Sequence, residues 1–228
     1  HHSNILPWRH SVAEVYTVPL DREGGLSLAA LEDALRAHAG RPLVIGSFSA
    51  ASNVTGIATD VDAVSALLHR YGALSFWDYA AAGPYVPVAM NPSGEGVDPL
   101  AYKDAIFLSP HKFIGGPGSP GVLVVKRRLA RRAVPTQPGG GTVDYVTHVD
   151  TRYTDSVEHR EEAGTPAILD SIRCGLVFQL KDSVGAETIH HVERSFVRGA
   201  IDAWRENPAL QILGNPDAER LSITSFMV

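Results

Sequence analysis

The sequence predicts an α/β layered fold, and three observations carry that reading. Helical patterns alternate with short apolar runs along the first half of the chain. Those runs lack the polar alternation of a strand with one wet face, as expected of strands covered on both sides. Capping residues and glycine stops bound the helices.

The first helix is expected from Ser27 to His38, where Leu28, Leu31, Leu35 and His38 fall at helical spacing. Ser27 is its N-cap, with Gly40 and Pro42 beyond its end. A strand is expected over Leu43 to Phe48. The second helix, from about Asp60 to Tyr71, carries Val61, Val64, Leu68 and Tyr71 on one face and stops at Gly72. It leads into a strand over Ala73 to Trp77, and two more are expected at Ala105 to Leu108 and Val122 to Val125. A long helix should start at Pro166 and reach about Val184, and another should run from Ala186 to Glu206 before Asn207-Pro208. A domain boundary is expected near residue 185, giving domains of 1–185 and 186–228. Leu221 to Val228 reads as a final strand with no following segment to pair against, so the chain is expected to be truncated there.

Composition narrows the function classes. The 228 residues are 44% hydrophobic and 20% charged with a net charge of -5, which leaves no basic surplus for nucleic acid. The single cysteine, Cys174, can form neither an internal disulfide nor a cysteine metal cluster, so the expected compartment is the cytoplasm. No apolar run approaches the roughly 20 residues of a membrane span, and His1-His2-Ser3-Asn4 has no signal-peptide pattern. Ten histidines without H-E-x-x-H give no recognisable metal site.

Gly116 to Gly121 matches G-x-G-x-x-G, but a dinucleotide fingerprint must open a helix, and here a strand follows. The prolines around Gly118-Ser119 suit a rigid turn better than a nucleophile elbow. The informative stretch is Phe107-Leu108-Ser109-Pro110-His111-Lys112-Phe113-Ile114-Gly115-Gly116, where a strand ends in hydroxyl, imidazole and amine groups before glycines. Ligands of α/β folds bind at that end of a strand. A hydroxyl, a histidine and loop amides suit a phosphate, and an amine suits a carbonyl carbon; pyridoxal phosphate (PLP) carries both groups. Asp78 ends another apolar run, beside Ala80-Ala81-Ala82-Gly83, where it could pair with a pyridinium nitrogen. Lys103 and Lys126, by contrast, read as surface residues.

These stretches, with Ser49 to Gly56, Glu162 to Pro166 and Arg220 to Phe226, resemble the class V aminotransferase family of PLP enzymes, nearest its cysteine desulfurase and selenocysteine lyase branch. The resemblance implies a large domain of the aspartate aminotransferase-like PLP-dependent transferase fold, with a mostly parallel sheet, followed by the start of a small α+β C-terminal domain. It implies that Lys112 holds PLP in a Schiff base and then serves as base, and that Asp78 pairs with the ring nitrogen. It implies further that His1 stacks on the ring, Asn53 lies near the ring hydroxyl, and Ser109 and His111 bind the phosphate. Thr165, locally an N-cap, would reach the phosphate of a neighbouring subunit in a homodimer with a shared site. The expected partner is a small amino acid substrate, with no nucleic acid and no membrane. For His1 the alternative origin is a purification-tag remnant.

Two departures qualify the branch. Ala81 stands where cysteine desulfurases usually carry a glutamine that bonds the ring hydroxyl, so the electronic tuning here must differ or come from another group. Cys174, inside a helical pattern, does not match the desulfurase nucleophile, and the family's N-terminal phosphate loop and substrate-binding arginine fall outside these residues. A cysteine desulfurase proper stays open as an alternative. A non-catalytic relative is disfavoured, because a protein without PLP would have no chemical need for both Asp78 and Lys112.

Overall fold

The computed structural model describes residues 1–228. Its centre is a four-stranded sheet in the order β1 (Ile45–Ser49), β2 (Leu74–Asp78), β3 (Ala105–Leu108) and β4 (Val122–Val125). The first two pairings are parallel and the third is antiparallel. Parallel neighbours need a crossover. Between β1 and β2 it is a helix, Val61–Arg70, which is α3 because α1 (His2–Arg9) and α2 (Leu28–Ala37) precede it.

Local chemistry sets both crossover-side helices. Ser27 accepts from the amide of Ala30 at 3.2 Å, and Leu31 and Leu35, one turn apart, are buried. Asp60 caps α3 through the amide of Ala63 at 3.0 Å, and Val64, Leu67 and Leu68 enter the core. Gly72, at φ 71°, lets the Gly72 and Ala73 amides return to the His69 and Leu68 carbonyls, so the helix stops where expected. The close approach of α3 to the sheet requires Gly46, since a Cβ there would stand 2.5 Å from Leu68 Cδ2.

Trp77 anchors the core with no exposed surface. Its indole N–H is satisfied by Ser75 Oγ at 2.7 Å and Ser65 Oγ at 2.9 Å. At the start of β3, buried Asp104 accepts from the Ser75 amide and from His69 Nε2, each at 2.9 Å, and also pairs with Arg128. This charge network lies at the end of the sheet opposite Asp78, so it holds the sheet together and does not reach the site described below.

Several expectations change. The strand Val122 to Val125 is not covered on both faces: β4 is an antiparallel edge whose Leu123, Val124 and Val125 are exposed. Lys103 is 2% exposed and paired with Asp62 of α3, the reverse of a surface residue. The long helix begins at Ile168 rather than Pro166. Ala167 is its N-cap, without a side-chain bond, so Thr165 caps nothing.

That helix, α5 (Ile168–Val184), follows a polar hairpin of β5 (Val143–Val146) and β6 (Thr151–Tyr153) and the short α4 (Val157–Glu161), none of which the periodicity signalled. Gly185, at φ 88°, separates α5 from α6 (Ala186–Arg205). The final segment is not an unpaired strand. Leu221 is buried in the main core, and β8 (Phe226–Met227) pairs antiparallel with β7 (Gln211–Ile212).

Candidate functional site

The register of the sheet aligns Ser49, Asp78 and Phe107, so β1, β2 and β3 end at one level. The loops leaving these ends, roofed by α1, enclose a cavity of about 700 Å³ lined by 16 residues. That size suits a small-molecule cofactor. Of the seven residues expected to form a site, six line it: His1, Asn53, Asp78, Ser109, His111 and Lys112. Thr165 does not; it is exposed in the turn before α5.

Each lining residue is held by its own segment. Asp78 Oδ1 accepts from the Ala80 amide at 2.8 Å, which fixes the carboxylate at the strand end while Ala80 and Ala81 leave space beside it. Ser109 precedes a 3-10 turn, Pro110–Lys112, closed by the Lys112 amide on the Ser109 carbonyl at 3.0 Å. The turn is anchored by Phe113, 5% exposed and edge-on to Phe178 at 5.0 Å. Gly116 packs where a Cβ would stand 2.0 Å from the Pro110 carbonyl oxygen, so the glycines after Lys112 serve close packing. Asn53 sits on a turn in which Ser52 Oγ accepts from Val54 and Thr55.

His1 Nδ1 accepts from the Ser3 amide at 3.1 Å and so caps α1. That helix is tied down by the Ser47 hydroxyl donating to Asn4 Oδ1 at 2.7 Å and by Trp8 against Phe76, ring centres 6.0 Å apart. Phe76 in turn meets Phe107 at 6.3 Å. This aromatic wall of the cavity was missed from sequence, although strand alternation places Phe76 on the face of Asp78 and opposite buried Trp77.

Lys181 of α5 was missed as well. Its amine donates to the carbonyls of Gly83, at 2.6 Å, and Val86, and lies over the Phe113 ring. Burial pushes it below the ordinary lysine range. Cys174 is buried on the same helix, and burial raises its thiol, which disfavours the thiolate a nucleophile needs. No group of three or more metal-ligating side chains comes together.

The chemistry of the donor set fits PLP: an amine for a carbonyl carbon, a carboxylate fixed at a strand end for a ring nitrogen, and a hydroxyl with an imidazole for a phosphate.

A family model described as Aminotransferase class-V matches residues 1–228. "Probable cysteine desulfurase 2" of Mycobacterium leprae (strain TN) is 29% identical over 235 residues, covering 100% of this chain and 52% of the relative. A "Probable cysteine desulfurase" of Staphylococcus epidermidis (strain ATCC 12228 / FDA PCI 1200) is 28% identical over 230 residues, covering 99% and 52%. The chain thus spans about half the length of the curated relatives it matches. The apo cysteine desulfurase of Thermococcus onnurineus NA1 superposes with a TM-score of 0.82 at 21% identity, over 100% of this chain and 55% of the other. The cysteine desulfurase CsdA (S-sulfonic acid) of Escherichia coli gives 0.78 at 24% identity, over 99% and 53%. At these identities the two structures establish the α/β fold with its mostly parallel sheet.

Proposed function

This chain belongs to the class-V aminotransferase family, which is PLP-dependent, and from that premise we propose that it supplies the cofactor site of an enzyme acting on an amino acid through Lys112. The observation that carries the reading is the convergence of His1, Asn53, Asp78, Ser109, His111 and Lys112 on one cavity from four separate segments. When bound, PLP supplies an electron sink for the carbanion left when a bond at the substrate α-carbon breaks.

The rest falls to side chains of this chain. Lys112 would hold the cofactor through its amine, and its Nζ would serve as the base for the substrate α-proton. Asp78 fixes a negative charge that favours a protonated ring nitrogen. Ser109 and His111 would hold the phosphate, and His1 and Asn53 would hold the ring. Trp8, Phe76 and Phe107 exclude water from one side, which strengthens every charge interaction within. Borohydride reduction of the PLP-loaded full-length protein, with peptide mapping, tests the attachment: a label on any lysine but Lys112 rejects it.

A second reading is a cysteine desulfurase proper, favoured by the names of the relatives. It needs L-cysteine turned over to alanine with release of sulfur, and a nucleophilic cysteine other than buried Cys174. Ala81, which lines the cavity, weighs against it. Alanine and sulfur formed from cysteine by homogeneous full-length protein decides for it; absence of both leaves another amino acid.

We place the domain boundary at Gly185, where a positive φ breaks two long helices. The assembly proposed is a homodimer in which Thr165, exposed and outside its own cavity, donates to the partner's phosphate. The cytoplasm is the proposed compartment, on the single reduced cysteine.

A further inference from the structure

Helix α1 roofs the cofactor cavity, yet little holds it there. It is eight residues long and carries Pro7 inside, which removes a helical hydrogen bond, and a helix that short is marginal on its own. None of its residues is buried, and only Asn4 and Trp8, one turn apart on one face, are half-buried. Trp8 rests on Phe76. The Ser47 hydroxyl donating to Asn4 Oδ1 at 2.7 Å is the one hydrogen bond between α1 and the rest of the protein. A neutral hydrogen bond shifts an equilibrium about two- to tenfold, which is small for a packed core but a large share of what docks a helix with two anchors.

Ser47 lies on β1 two residues before Ser49, so both side chains leave the same face of the strand, but only Ser49 lines the cavity. Whatever Ser47 does for a bound molecule therefore passes through Asn4. At the start of α1, His1 Nδ1 accepts from the Ser3 amide at 3.1 Å, so the imidazole moves with the helix.

We infer that Ser47 is a positioning residue: through Asn4 it holds α1 down and so sets where the His1 imidazole stands in the cavity. The inference rests on the reading that this cavity takes PLP and that His1 holds its ring. Asn4 lines the cavity itself, so replacing it would mix two effects, and Ser47 is the cleaner site to change.

The test titrates PLP into full-length apoprotein and reads three quantities: the affinity, the visible circular dichroism of the bound cofactor, and amide exchange across α1. Ser47→Ala should weaken PLP binding about two- to tenfold, alter the dichroism and speed the exchange, and Ser47→Thr, which keeps the hydroxyl, should restore all three. In a His1→Ala background, Ser47→Ala should no longer change affinity or dichroism, because its effect on the cofactor passes through His1; a purely structural loss would act in both backgrounds. Wild-type protein that binds no PLP rejects the reading of the cavity and this inference with it. Wild-type protein that binds PLP, with affinity and dichroism unchanged by Ser47→Ala or changed equally when His1 is absent, overturns the positioning role alone.

Discussion

Lys181 donates to the carbonyl of Gly83, 98 residues earlier in the chain, at 2.6 Å. With its second bond, to Val86, it clamps the loop that follows Asp78 onto α5. Lys181→Met keeps the stem but leaves both carbonyls without this donor. Loss of charged hydrogen bonds at a half-buried site should cost about 1–2 kcal/mol, read from urea unfolding. An unchanged midpoint would show that the clamp contributes nothing.

Asp78 has a structural bond and a proposed electrostatic role, and one substitution separates them. Asp78→Asn keeps an oxygen to accept from the Ala80 amide but removes the charge. Exchange of the substrate α-proton should fall about 100-fold or more, while PLP affinity falls far less, because the charge acts on the transition state. Equal loss in both would assign Asp78 to binding alone.

Lys112→Ala should abolish covalent capture of PLP, measured by intact mass after borohydride reduction. Folding should be unaffected, since the Lys112 side chain is exposed and the turn is held by its backbone and by Phe113. A retained adduct would move the attachment to another amine.

Alkaline stability should depend on Tyr79. Burial, and then the charge of Asp62, raise its phenol above the ordinary value of 10.0. Below pH 10 both folded and unfolded chains keep the proton, and the stabilisation is complete. As pH rises past 10 the unfolded chain loses its proton first, and stability falls by about 1.4 kcal/mol per pH unit until the folded phenol titrates. Tyr79→Phe should flatten that loss in denaturant melts between pH 9 and 11; an identical slope would reject the assignment.

Lys103 and Asp62 form a pair in which the amine is buried and the carboxylate half exposed. Asp62→Ala strands the cation and should cost about 2–4 kcal/mol, whereas Asp62→Ala with Lys103→Met should recover most of it. Additive losses in the double-mutant cycle would show that the two do not interact.

The sequence by itself determined what short-range chemistry controls. Ser27 and Asp60 as caps, Gly72 as a stop, and leucines and valines a turn apart act over three or four residues, so α2 and α3 lie where the pattern put them. Chemistry-bearing residues at the ends of apolar runs were legible for the same reason, since a strand that ends at Asp78 or before Ser109 must present its polar end at one level of a parallel sheet. The roof of the site was not legible: Trp8 and Phe76 meet only because α1 folds back across β2. Lys103 resembles any surface lysine until Asp62 of α3 is brought to it, and Thr165 resembles a cap although the folded helix starts only at Ile168. Arg220 opens a stretch read for its family resemblance, and its burial with two unpartnered N–H groups appears only in the folded chain. Burial and partnership depend on residues tens of positions away, and no local spacing encodes them; the tertiary structure decided those, because it alone sets which charges lose their water and which group replaces it.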